Sequence, residues 1–123
     1  MSAEDVHVYS IDECFVEAGP YLRLYGVDAR TFARKLIAKA FEATGVTATA
    51  GIGENLFQAK LALDVCAKHA SDGIGWLDAE SFKREMWFHR PITDVWGIGP
   101  GIAKRLAKYG AYDLAGVCSV NPR

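Results

Sequence analysis

The chain has 123 residues, half of them apolar, which supplies one modest core or a small core with a helical appendage, and at most two compact units. Fifteen acidic against 14 basic side chains leave a formal charge of −1, which counts against strong nucleic-acid binding by this chain alone. No apolar run approaches the ~20 residues of a membrane span and the first residues do not form a secretion leader, so a soluble, cytoplasmic protein without membrane partners is expected.

Val6, Val8, Ser10 and Asp12 alternate with His7, Tyr9 and Ile11, and Cys14-Phe15-Val16 is again β-favouring. Two short strands around the carboxylates Asp12 and Glu13 follow. Gly19-Pro20 is expected to break the chain. From Asp28 to Ala43, Phe32, Leu36, Ile37, Ala40 and Phe41 recur at helical spacing, with Arg30, Arg34, Lys35 and Lys39 mostly on the wet side. Gly45 ends this amphipathic helix. Val46 to Ile52 is β-branched and short, and reads as a buried strand. A second helix should open with Asn55 as N-cap and run to about Lys68, followed by a polar, glycine-containing loop from His69 to Gly75. Asp78 can cap a short helix from Ala79 to about Trp87, and Arg90-Pro91 marks another boundary. Beyond it the chain reads as short helices joined by Gly97-Ile98-Gly99, with Asp113 opening the last turn. Strand, helix, strand gives an α/β layer, more broadly an α+β fold. A small sheet with packed helices is expected over residues 1–75 and an all-helical section over residues 76–123, the boundary falling between Asp72 and His89.

Three places could carry chemistry. Hard cations such as Mg²⁺ need carboxylate oxygens close together, and adjacent Asp12 and Glu13 point to opposite faces of a regular strand. They can serve one metal cluster only where the backbone turns, and an Asp-Glu pair by itself reads as a surface turn. Gly51-Ile52-Gly53 leads into a helix carrying Lys60, a place where phosphate could be met. The pattern lacks the spacing of a Walker loop or dinucleotide fingerprint, and on local grounds it reads as helix packing. Gly97, Gly99 and Gly101 form a tight hairpin with Ile98 anchoring it, and Lys104, Arg105 and Lys108 follow. Such a turn can present backbone N–H groups to a phosphate, and the basic residues suit sequence-independent DNA contact or simply a solvated face. His7, His69 and His89 lack metal-ligand spacing, and Cys14, Cys66 and Cys118 contain no CxxC pair and read as reduced thiols. Trp76, Trp87 and Trp96 read as packing residues.

Tyr9-Ser10-Ile11-Asp12-Glu13-Cys14-Phe15-Val16-Glu17 resembles the YSIDE-x-F motif of Y-family translesion DNA polymerases, with Glu17 where members often carry Asp. Thr47 to Lys68 is similar to the family's GIGxNxxxAKxAxxxAK palm segment, and Thr93 to Leu114 to the helix-hairpin-helix of its thumb. After Ala67-Lys68 the usual Pro is replaced by His69, reminiscent of a UmuC-like branch. The resemblance implies that Asp12 and Glu13 are catalytic metal ligands, that Lys60 contacts the triphosphate of the incoming nucleotide, and that Ser10 supports the turn or the primer end. It implies DNA contact through Gly97, Gly99, Gly101, Lys104 and Arg105, and a division into the back of a palm (residues 1–75) and a thumb (residues 76–123).

The function so implied is template-directed nucleotidyl transfer in translesion synthesis and DNA repair, an SOS-type activity on damaged DNA. Two Mg²⁺ ions would be its cofactors and primer-template DNA and a dNTP its partners, with a sliding clamp or accessory repair proteins as further candidates. In the family the first metal-binding Asp and the fingers lie ahead of the YSIDE motif and the little finger follows the thumb, so this chain alone is expected to be inactive. Two other readings stay open: a non-catalytic helix-hairpin-helix DNA-binding module, and an interaction domain in which Asp12 and Glu13 are solvated turn residues.

Overall fold

The computed structural model describes residues 3–120; residues 1, 2 and 121–123, the extremities of the two expected domains, lie outside the described residues. Two compact units are present, Met1–Ala48 and Thr49–Arg123.

In the first unit, β1 (Val6–Val8) and β2 (Cys14–Val16) pair antiparallel in the register Val6↔Val16, His7↔Phe15, Val8↔Cys14. Strands of three residues offer few ladder bonds, and aromatic contacts across the hairpin add to them: the Phe15 ring lies 6.4 Å from His7 and 5.8 Å from Tyr9. Gly19-Pro20 does not break the chain but opens α1 (Gly19–Tyr25). Pro20 sits in the first helical turn, where its missing N–H would have no helical partner and its fixed φ already suits the helix. Tyr21 donates to the Asp5 carboxylate and stacks on Phe32 at 6.1 Å. The amphipathic pattern gives α2 (Ala29–Thr44), with Asp28 accepting from the Thr31 amide at 2.7 Å and Gly45 closing the end at φ 72°. The Thr31 amide holds the Asp28 carboxyl below its usual range. Phe32 and Ala33 are buried, whereas Phe41 at the far end is exposed.

In the second unit, β3 (Ala50–Gly53) pairs parallel with β4 (Ile74–Leu77), Gly51 opposite Gly75 and Ile52 opposite Trp76. The strand expected over Val46 to Ile52 is therefore shorter and begins later, Val46 being exposed. The loop expected from His69 to Gly75 gives way at Ile74 to β4, whose Ile74 and Leu77 are fully buried. Parallel strands require a crossover. Here it consists of α3 (Leu56–Leu61), a π-helical turn (Ala62–Cys66) and a 3₁₀ turn (Ala67–His69), so the helix expected to run unbroken to about Lys68 widens after Leu61.

Glycine explains how closely that crossover sits on the strands. A Cβ on Gly51 would fall 2.3 Å from both the Ala59 carbonyl oxygen and the Leu63 nitrogen, and one on Gly75 2.2 Å from the Ala62 carbonyl oxygen. Any side chain at either position would push the helix backbone off the sheet.

Leu61, Ala62, Leu77, Met86, Ile92 and Val95 form the core of this unit, which thus draws on both sides of residue 75. The helix α4 (Ala79–Met86) opens with a reciprocal cap: Ser81 N donates to Asp78 at 2.8 Å and Asp78 N donates to Ser81 Oγ at 2.9 Å. These contacts, led by the Ser81 amide, hold the Asp78 carboxyl low. A 3₁₀ turn (Ile92–Asp94), α5 (Pro100–Ala107) and α6 (Leu114–Ser119) complete the unit. Asp113 caps α6 through the Gly116 amide at 2.8 Å and receives Arg90 Nε and Nη2, each at 3.2 Å. The Gly116 amide and the Arg90 guanidinium hold its carboxyl below the usual range. Helices and, among the described residues, two small two-stranded sheets make the chain α+β.

Candidate functional site

Asp12 and Glu13 lie in the turn between β1 and β2, outside the regular strands, which removes the objection that adjacent strand residues face apart. The amides of Tyr9 and Ser10 both donate to the Glu13 carbonyl, at 3.0 and 3.1 Å, and draw the turn tight. Ser10 Oγ donates to Asp12 Oδ1 at 3.0 Å. Asp12 is exposed, Glu13 half-buried, and Ile11 at the tip fully exposed. The pair offers the hard oxygen donors Mg²⁺ prefers, but among the described residues no three His, Cys, Asp or Glu side chains gather as a metal-holding group.

Lys60 belongs to the second unit, on α3, whose N-cap Asn55 accepts from the Gln58 amide at 2.9 Å as expected. Its side chain is only 8% exposed, and Nζ donates to Asp64 Oδ1 at 3.1 Å. Asp64 is a residue that sequence reading passes over; its signal is the four-residue spacing from Lys60, which puts the two on one helix face.

At the glycine hairpin, the Ile98 amide donates to the Val95 carbonyl at 3.0 Å, and Ile98 packs against the core as expected. Gly97 has φ 91°, in the region that favours glycine. Gly99 is the extended N-cap of α5, and a Cβ on Gly97, Gly99 or Gly101 would meet nothing within 4 Å. Lys104 and Arg105 are exposed on α5. The helix ahead of this hairpin is a single 3₁₀ turn. No helix among the described residues is long and apolar enough to cross a membrane.

Comparison with known proteins bears on these features. Residues 1–64 match the family model described as the impB/mucB/samB family. The chain is 34% identical to UvrX of Bacillus subtilis (strain 168) over 85% of its own length and 24% of that protein. It is 32% identical to DNA polymerase IV 2 of the same organism over 93% of its length and 27% of the relative. With the UmuC protein of Salmonella typhimurium it shares 34% identity, over 89% of this chain and 27% of the other. The chain thus spans about a quarter of the length of these curated relatives. Among solved structures, DinB of Sulfolobus solfataricus superposes with a TM-score of 0.70 at 26% identity, over 97% of this chain and 34% of that one. With the family matched over more than half of the sequence and the DinB fold followed along nearly all of it, the chain belongs to the impB/mucB/samB family, the UmuC- and DinB-like Y-family polymerases.

Proposed function

We propose that the chain supplies the catalytic carboxylate turn, the triphosphate lysine and part of the DNA-contacting thumb of a DNA-directed DNA polymerase acting in translesion synthesis and repair. The observation that carries this reading is the β1–β2 turn, in which Asp12 and Glu13 lie outside the strand pleat and Ser10 donates to Asp12. Asp12 and Glu13 would hold Mg²⁺, which when bound activates the primer hydroxyl and neutralises the leaving pyrophosphate. Ser10 keeps the Asp12 carboxylate oriented in the turn. Lys60 supplies a fixed positive charge for a triphosphate. Residues 1–75 take the role of palm and residues 76–123 that of thumb, a functional division across which the core of the second unit is shared.

The test is a Mn²⁺ titration of the ¹⁵N-labelled chain. Paramagnetic broadening is expected at the Asp12 and Glu13 amides, and it should disappear in an Asp12→Asn, Glu13→Gln variant. Broadening that ignores these residues removes the metal assignment.

A second reading, a helix-hairpin-helix module that binds DNA without catalysis, is favoured by the open space over Gly97, Gly99 and Gly101 and by the exposed Lys104 and Arg105 beside them.

A further inference from the structure

We infer that Asp64 is a positioning residue for Lys60, holding the ammonium at a fixed point for a triphosphate; this rests on the proposed role of Lys60. Lysine carries a compact charge on a long flexible stem, so a free lysine must be ordered each time it meets a phosphate. Here the ordering is built into the fold, since Nζ lies 3.1 Å from Asp64 Oδ1 and the lysine side chain is 8% exposed against 34% for the aspartate.

The element beneath Asp64 is itself held on both sides. Asp64 sits in the π-helical turn Ala62–Cys66, a geometry that is rare and often found at functional sites. The backbone just before it is pressed against both strands, because a Cβ on Gly51 would stand 2.3 Å from the Leu63 nitrogen and one on Gly75 2.2 Å from the Ala62 carbonyl oxygen. Two residues further on, Cys66 Sγ donates to Glu85 Oε2 at 3.4 Å and ties the turn to α4. A carboxylate on so constrained a backbone can fix its partner, whereas one on a frayed helix end would only follow it.

Charge and position make opposite predictions, which separates them. Asp64 is an anion beside a site for an anion, so if it acted through charge alone its removal would tighten phosphate binding. The experiment uses the full 123-residue chain with inorganic tripolyphosphate as probe, followed through the side-chain NMR signals of Lys60. Asp64→Asn is expected to weaken tripolyphosphate binding by about 3-fold or more, and to have no further effect in a Lys60→Ala background. Unchanged or tighter binding by Asp64→Asn, or equal weakening with and without Lys60, overturns the positioning role while leaving the role of Lys60 intact. No response of the unmodified chain, or a Lys60→Ala variant that binds as well as the parent, overturns both. Should Asp64→Asn fail to fold, the unmodified chain still decides: the ε-methylene protons of Lys60 are expected to be non-equivalent, and their averaging to a single shift rejects an immobilised ammonium.

Discussion

Gly51 and Gly75 face each other across the β3–β4 pair, and their missing side chains are what the crossover helix rests against. A glycine in a strand normally weakens it, so two in register would read as a defect if they were not the seat of a helix. Their role is distinguishable from that of the hairpin glycines by one substitution each. Gly75→Ala must push back the Ala62 carbonyl and the Ala67 nitrogen, which a Cβ would approach at 2.2 and 2.7 Å. It is expected to cost about 1–3 kcal/mol of unfolding free energy in urea denaturation. Gly101→Ala, with open space at the Cβ and a helical backbone, should be neutral or stabilise by up to about 1 kcal/mol. Equal midpoints for the two variants would show that the close seat is not what the strand glycines are for.

Apart from the 16-residue α2 the helices described are short, and each of α2, α3, α4 and α6 begins on an Asp or Asn side chain that accepts from a backbone amide of its first turn. In elements of six to eight residues such a cap satisfies a large share of the groups left without helical partners. α1 and α5 have no such cap, and at α5 the N-cap is Gly99, which leaves the N-terminus open beside the hairpin. An uncapped helix start next to glycines that nothing covers is a place where a phosphate can approach backbone N–H groups. The backbone of Gly99 is at φ −89°, ψ −179°, a conformation valine adopts readily, so Gly99→Val blocks the approach without straining the turn. A Gly99→Val, Lys104→Glu double variant is expected to keep its fold and to weaken salt-dependent DNA binding. The slope of log affinity against log salt should become shallower by about 1 for each phosphate that the variant no longer neutralises. DNA binding by the variant equal to that of the parent would assign the basic face of α5 to solvent.

For the whole molecule, the carboxylate turn contributes two acidic side chains, Asp12 and Glu13, to any metal it meets. Two carboxylates in one exposed turn can bind a divalent ion weakly, while nucleotidyl transfer needs both ions held together with primer and nucleotide. The purified 123-residue chain is therefore expected to show no Mg²⁺-dependent primer extension above background. Robust extension would show that these residues assemble a working centre unaided. Metal and phosphate binding remain measurable in either case, because they depend on the turn and on the Lys60–Asp64 pair one at a time.

Local chemistry is legible without coordinates wherever a side chain acts on its own segment. The cap and end of α2, the Asn55, Asp78 and Asp113 caps, and the hairpin around Asp12 and Glu13 all depend on residues close to one another in the chain. Helix spacing and turn chemistry encode such features directly. The Gly19-Pro20 start of α1 escapes that reading because proline interrupts a helix interior but favours its first turn, and position within a helix is known only once the helix is. β4 and the widening at Ala62–Cys66 are beyond its reach for a different reason. Ile74-Gly75-Trp76-Leu77 has too few residues for a period, and it becomes a strand by pairing with β3, which lies on the far side of the crossover. The helix yields its regular pitch where it meets two glycines from distant strands. Sequence alone thus determined most of the elements and the chemistry of the side chains, the Lys60–Asp64 spacing included, while contacts between segments far apart in the chain decided which short stretch became a strand and where the crossover helix is seated and widens.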